Sequence, residues 1–427
     1  MAETADKIEH GGVKAATVPP VATPRRMVEL DLLRGVALFV MVFGHNLRVG
    51  YSGDSSAQIA VMGIAELFSS LFMIVSGVNV LNFHNKYGHL ENFNAARFYV
   101  KSSLFMLVFG YTYNLLVHST RSMDIIQVIA LGMLITYLLL YARTPNWLVG
   151  LITVLFFVTG ILAFGNGLEL AENVNRHFLL NYLIGNGQVN PTSIDGLIPA
   201  RYLFYLFGPI PWIGYFTYGL FLTRLSPVGK KIMMALCVGM VVAATYLPYV
   251  SGAEQTVVAF KTNLRYILQT LGLFGFWLPA FEMVYRGRTK IGQFLERWGV
   301  QSLIILMFHW MYIFLFSFLA ARLAGGSNIE LFRWIRLVLV LSALFLTVQP
   351  LANLQNRLIR SPSFAWKGKV MLYGGLAVSL FGMFAASKGA VAFGVLLAFF
   401  GKFPAAIAFT FLYPALRGKW RKQCTRS

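Results

Sequence analysis

Long apolar runs alternate with short polar and basic clusters along the whole chain. Runs of the roughly 20 residues that a bilayer-crossing helix needs fall near 31–49, 60–83, 99–118, 124–142, 146–165, 202–223, 231–250, 265–285, 300–321, 331–353, 370–387 and 389–414. The pattern predicts an all-α fold: a polytopic transmembrane helical bundle of about 11–12 spans. The last two runs are parted only by Lys388, and Lys402 interrupts the second, so they read either as two spans or as one re-entrant pair.

Composition agrees with a membrane fold. The chain is 57% hydrophobic and 12% charged, whereas soluble proteins average about 25% charged. The net charge of +20 changes the picture only by its distribution. If the N-terminus is inside, the clusters at Arg25 and Arg26, Arg224 to Lys231, Arg286 to Arg297, Arg357 to Lys369 and Arg417 to Arg426 share one side. Lys and Arg gather on cytoplasmic loops in this way. Both termini are therefore expected in the cytoplasm, and the basic charge is read as orientation, with no nucleic-acid partner.

Residues 1–25 read as a disordered cytoplasmic tail and 416–427 as a basic one. A cleaved signal peptide fits poorly, because the apolar stretch starts after Arg26 and no small-x-small site follows it. Cys237 lies in an apolar run and Cys424 in the basic tail, so neither a disulfide nor a zinc site is expected. The longest outer segment, Asn166 to Arg201, is either a plain connection or a cap over a cavity. No internal repeat is evident, which weighs against a transporter built from inverted repeats.

Ionisable groups inside apolar spans are costly and mark functional sites by default. Arg34 and His45 are eleven residues apart on the first run, about three turns and about 16 Å along one helix face. Asp31 lies one turn before Arg34 and can pair with it. The bland alternative is that Arg34 and His45 snorkel to opposite surfaces. Glu66 in the second run needs a partner; a proton shared with His45 would be general-base chemistry, and a helix-start Glu at the interface is the alternative. Gln127, just after Asp124, can bond substrate or a neighbouring helix, and helix–helix bonding is the stronger reading. His309 follows Ser302 by seven residues, about two turns on one face, although an aromatic-rich helix end such as His309-Trp310 also serves as an interface anchor. The two prolines in Pro209 to Phe216 should kink or break a helix, and broken helices line cavities or pack against protein.

Four short segments carry a family resemblance in the right order. Arg26 to Gly35 with Met41 to His45 resembles the first-helix signature of the bacterial relatives of heparan-alpha-glucosaminide N-acetyltransferase. The same Arg and His spacing occurs in the membrane acyltransferases that O-acetylate surface sugars. Glu66 to Gly77 resembles the second-helix motif, an acid followed by a Phe-rich stretch ending in Ser-Gly. Pro209-Ile-Pro211-Trp212-Ile-Gly214 resembles the Pro-Trp-x-Gly motif, and Ser302 to His309 the late Ser-Leu…His motif. Two features depart from the family. The loop from Leu47 to Ile59 has no histidine where the eukaryotic enzyme has its catalytic one, and Gln127 stands where bacterial members often have His.

The resemblance implies a membrane acyltransferase core over 26–322, with additional C-terminal transmembrane helices over 323–415. It implies acetyl-CoA or another acyl-CoA as donor and a glycan or lipid-linked sugar as acceptor, in the cytoplasmic (inner) membrane. His45 would be general base or transient acyl carrier and Glu66 its orienting acid. Asp31 and Arg34 would meet the donor, while Gln127, Trp212, Ser302 and His309 would line the pocket. No metal is expected, and a homo-oligomer is allowed. The competing readings are a transporter or flippase of an anionic or sugar-lipid substrate, and a non-catalytic scaffold that tolerates loss of His45 and Glu66.

Overall fold

The computed structural model describes residues 27–48, 56–88, 93–117, 125–165, 209–247, 264–284, 289–323, 329–360, 364–387, 404–405 and 407–419. Both expected tails, apart from 416–419, and the outer segment Asn166 to Arg201 lie outside them. All regular structure among the described residues is helical. The helices are α1 (Val28–Arg48), α2 (Ser56–Tyr87), α3 (Ala95–Val117), α4 (Ile125–Tyr141), α5 (Asn146–Gly165), α6 (Pro209–Thr223), α7 (Pro227–Tyr246), α8 (Leu264–Val284), α9 (Lys290–Val300), α10 (Ser302–Leu323), α11 (Ile329–Arg360) and α12 (Phe364–Ser387). A further helical stretch covers 407–419.

The apolar runs up to 387 yield helices wherever they are described, because a chain in hydrocarbon must bond its own backbone; most of the run 389–414, and with it the choice between two spans and one re-entrant pair, lies outside the described residues. Four helical segments among the described residues are long and apolar enough to cross a membrane: Leu67–Tyr87, Pro227–Tyr246, Leu264–Val284 and Leu331–Leu358. The bent pair Lys290–Val300 and Ser302–Ser317 makes a fifth if taken as one span. The chain is a multi-pass helical membrane protein, with fewer full-length spans among these residues than the 11–12 runs suggest. Helices α4 and α5 are apolar but shorter.

Two departures from the sequence reading matter. The run at 300–321 does not continue smoothly from Trp298. The chain bends by 85° there, with Gln301 at φ −92° and ψ 22° between the two helices. Trp298 and Gly299 therefore belong to α9, a short helix capped by Thr289, whose hydroxyl accepts from the Gly292 amide at 3.0 Å. The run at 60–83 is also exceeded: α2 continues to Tyr87, with His84 half-buried on its last turn. The proline segment behaves as expected. Ile210 leaves helical geometry at φ −103° and ψ 124°, and the peptide bond from Ile210 to Pro211 is cis.

Helix α1 packs against α2 and α9, α2 against α6, α6 against α5, α7 against α8, and α10 against α11. Bare backbones make the closest of these seams. A Cβ on Gly35 of α1 would fall on the carbonyl of Leu295, and one on Gly299 of α9 would fall on the carbonyl of Asp31. The α2–α6 seam repeats the device, with Gly77 against Phe216 and Gly219 against Ile74. Small residues are the usual means of close helix approach in a bilayer, where lipid offers no hydrophobic drive between helices.

Polar groups tie the rest. Thr153 of α5 donates to the Thr217 hydroxyl of α6 at 2.8 Å, and Tyr215 and Thr270 join α6 to α8 at 2.8 Å. The C-terminal stretch belongs to the same bundle: Gln355 of α11 donates to the Thr410 carbonyl at 2.7 Å, and Phe105 of α3 stacks on Tyr413.

Lys230 and Glu282 pair between α7 and α8, with side chains 20% and 17% exposed. Removing one partner of such a pair strands the other charge. Glu282→Gln is expected to cost about 1–2 kcal/mol, between the exposed and fully buried cases. The double variant Lys230→Met with Glu282→Leu should melt close to wild type in detergent. A melting point for Glu282→Gln equal to wild type would show the pair to be energetically idle.

Candidate functional site

The site forms where α1 meets α10. His45 lies near the C-terminal end of α1, and His309 lies two turns into α10, fully buried. Nδ1 of His45 and Nε2 of His309 are 3.0 Å apart. The other nitrogen of His309, Nδ1, lies 2.9 Å from the carbonyl oxygen of Ile305. A carbonyl can only accept, so Nδ1 of His309 carries a proton and donates it there. When both rings are neutral, Nε2 of His309 then holds a lone pair and accepts from Nδ1–H of His45. That order leaves the lone pair of His45 on Nε2, the position from which an imidazole acts as base or nucleophile.

The two imidazoles stack at 5.2 Å and 16°, and the Trp310 indole stacks on His45 at 4.7 Å and 29°. An indole face stabilises a cation near it. Proton uptake at Nε2 of His45 thus meets an acceptor nitrogen on one side and a π face on the other. A second histidine so placed can do what a carboxylate does in a Ser-His-Asp triad, holding the tautomer and steadying an imidazolium.

Arg34 donates from Nη1 to Asp31 Oδ1 at 3.2 Å and to the Gly299 carbonyl at 3.3 Å. The first contact is the pair that the spacing predicts. The second ties α1 to the C-terminal end of α9, where a cation is favoured by the helix dipole. Arg34 and His45 lie on one helix, about 16 Å apart along its axis. Arg34 therefore belongs to the α1–α9 seam and His45 to the α1–α10 seam.

The remaining expected site residues are scattered. The Glu66 side chain, and with it the expected pairing with His45, lies outside the described residues. Gln127 is fully buried on α4, against Gly110 of α3, where an added Cβ would lie 2.9 Å from its Oε1. Trp212 is buried beside Tyr215, 5.6 Å between ring centroids, on a helix whose neighbours are α2, α4, α5 and α8. No described contact joins it to the histidine pair. Ser302 opens α10, about 10 Å along the axis from His309.

The sequence reading overlooked Trp310 as part of the site, and Arg333 and Arg336 on α11. Both arginines are buried, at 3% and 0% exposure. Two cations within the apolar run 331–353 are themselves a signal.

No curated protein and no solved structure matches the chain. A family model does match, described as heparan-alpha-glucosaminide N-acetyltransferase, catalytic, over residues 26–238. That segment holds His45, Arg34, Glu66, Gln127 and Trp212, whereas Ser302, His309, Arg333 and Arg336 come from beyond it. On this match, with the first-helix, second-helix and Pro-Trp-x-Gly motifs inside it, residues 26–238 belong to the heparan-alpha-glucosaminide N-acetyltransferase catalytic family.

Proposed function

We propose that the protein transfers an acyl group, acetyl first among them, from acyl-CoA to a hydroxyl or amine of a sugar. The acceptor would be a cell-envelope glycan or lipid-linked saccharide at the cytoplasmic (inner) membrane. Family membership supports an acetyltransferase. The observation that carries the mechanism is the 3.0 Å contact between His45 Nδ1 and His309 Nε2.

In this reading Nε2 of His45 takes the proton of the acceptor hydroxyl or amine while its oxygen or nitrogen attacks the thioester carbonyl. The carbon–sulfur bond breaks, and coenzyme A leaves as a thiolate that takes the proton back from the imidazolium. His309 supports the positive charge during the interval, and Trp310 covers the His45 ring. Arg34 and Asp31 remain the candidates for donor contact; their bond to the α9 terminus makes them positioning groups as well. Transfer through an acyl-imidazole on the same Nε2 uses the same residues and balances equally.

The test is release of free coenzyme A from acetyl-CoA by purified protein in nanodiscs, with and without a pool of envelope sugars. Sugar-dependent release supports the reading. An intact thioester together with movement of sugar-lipid across proteoliposomes would replace it with the transporter reading.

A further inference from the structure

We infer that Arg336 is a positioning residue that clamps α1 to α10 and thereby sets the distance between His45 and His309. The inference rests on the acyltransferase reading of that pair. One guanidinium reaches both helices that carry the histidines. Nη2 of Arg336 donates to the backbone carbonyl of Asn46, the residue after His45. Nη1 donates to the Ser317 hydroxyl at 3.3 Å, and Ser317 follows His309 on α10 by eight residues, about two turns. The guanidinium is fully buried and lies over the Phe332 ring, 4.6 Å from its centroid, one turn earlier on α11. Ser317 in turn donates to the Ile313 carbonyl at 2.6 Å, so its oxygen faces Arg336 as an acceptor.

The end of α1 explains why an arginine is suited to this place. The last carbonyls of a helix have no partner within it, and a cation there is favoured by the dipole. Asn46 cannot supply the missing donor to its own carbonyl, because its amide donates to Val42 at 2.9 Å. A planar fork with several donors can serve two helices at once, which a lysine ammonium does less rigidly. The clamp comes from beyond the segment that matches the family. It therefore gives the C-terminal helices a role in the chemistry of the N-terminal ones.

Four proteins decide the matter: wild type, Arg336→Gln, Arg336→Lys and Ser317→Ala, each assayed for acetyl-CoA turnover beside a thermal melt. Misplacing reacting groups by about 1 Å costs about 100-fold in rate. Arg336→Gln is expected to lower kcat by that order with KM for acetyl-CoA unchanged, and Arg336→Lys to recover part of it. Ser317→Ala keeps the bond to Asn46 and should lose about tenfold. It carries the test alone if the Arg336 variants fail to fold. Carbethoxylation of His45, read by mass spectrometry, supplies a readout that needs no turnover: its rate should change in Arg336→Gln and return toward wild type in Arg336→Lys. A wild-type kcat in folded Arg336→Gln, or in Ser317→Ala where that variant decides alone, overturns the clamp. So does a rise in KM at constant kcat, which would make Arg336 a donor-binding group. If wild type itself turns over no acetyl-CoA with sugars present, the acyltransferase reading fails, and the carbethoxylation rates still report on the clamp.

Discussion

His45→Ala is expected to lower acyl transfer by on the order of 10³-fold while leaving the protein folded, within the range for loss of a general base. The ring is only partly buried on the α1–α10 seam, so its removal leaves no large cavity. His309 gives the sharper comparison. His309→Phe keeps the volume but removes the acceptor that holds the Nδ1 proton of His45. A shift to the tautomer with the proton on Nε2 would then block the base. His309→Phe should lose about 100-fold or more, and His309→Gln should lose less, because an amide oxygen can still accept from Nδ1–H. Because the two rings act as a unit, the double variant His45→Ala with His309→Phe should be no worse than His45→Ala alone. Full additivity of the two losses, or wild-type turnover by His45→Ala, would remove the pair from the chemistry.

The largest effect on folding is expected at Gly35. A side chain there would run into the backbone carbonyl of Leu295. Backbone cannot rotate aside as a side chain can, so α9 would have to leave α1. The Gly299 contact with Asp31 and the Arg34 bond to the Gly299 carbonyl would go with it. Overpacking usually costs about 1–3 kcal/mol and sometimes more; Gly35→Leu should reach the upper end, seen as a drop of several degrees in the detergent melting point. Gly239 on α7 is the control, since a Cβ there would meet nothing within 4 Å. Gly239→Ala should be neutral or stabilising by about 0.5–1 kcal/mol, the usual gain from removing a helix glycine. Equal melting points for Gly35→Leu and Gly239→Ala would show that the α1–α9 seam yields easily.

Glycines in the family motifs carry close packing. Gly35, Gly77 and Gly214 each stand where another element's backbone or ring approaches. In sequence they look like markers of a signature beside Arg34, Ser76 and Trp212. Their partners, Leu295, Phe216 and Phe157, lie far along the chain or in unremarkable apolar stretches, so the contacts could not be read there. The motif polar groups divide in the same way. Asp31 and Arg34 pair as their spacing foretells, whereas the Gly299 carbonyl depends on a helix that ends at Val300 in a sharp bend.

The class of the protein and the placement of its helices are local matters. A run of about 20 apolar residues in a bilayer has helix as its way to satisfy every backbone group, so all of these helices except the short, charged α9 can be located from hydropathy alone. The chemistry of His45 and His309 as separate candidates was equally visible, because an imidazole in an apolar run stands out against its surroundings. Their union was not. It joins residues 264 positions apart through helices whose apolar faces look alike from every side, and hydropathy assigns no partner to such a face. Seam geometry set by bare glycines, an 85° bend after Val300 and a buried guanidinium between Asn46 and Ser317 choose the partner, and each of these acts only once the helices have packed.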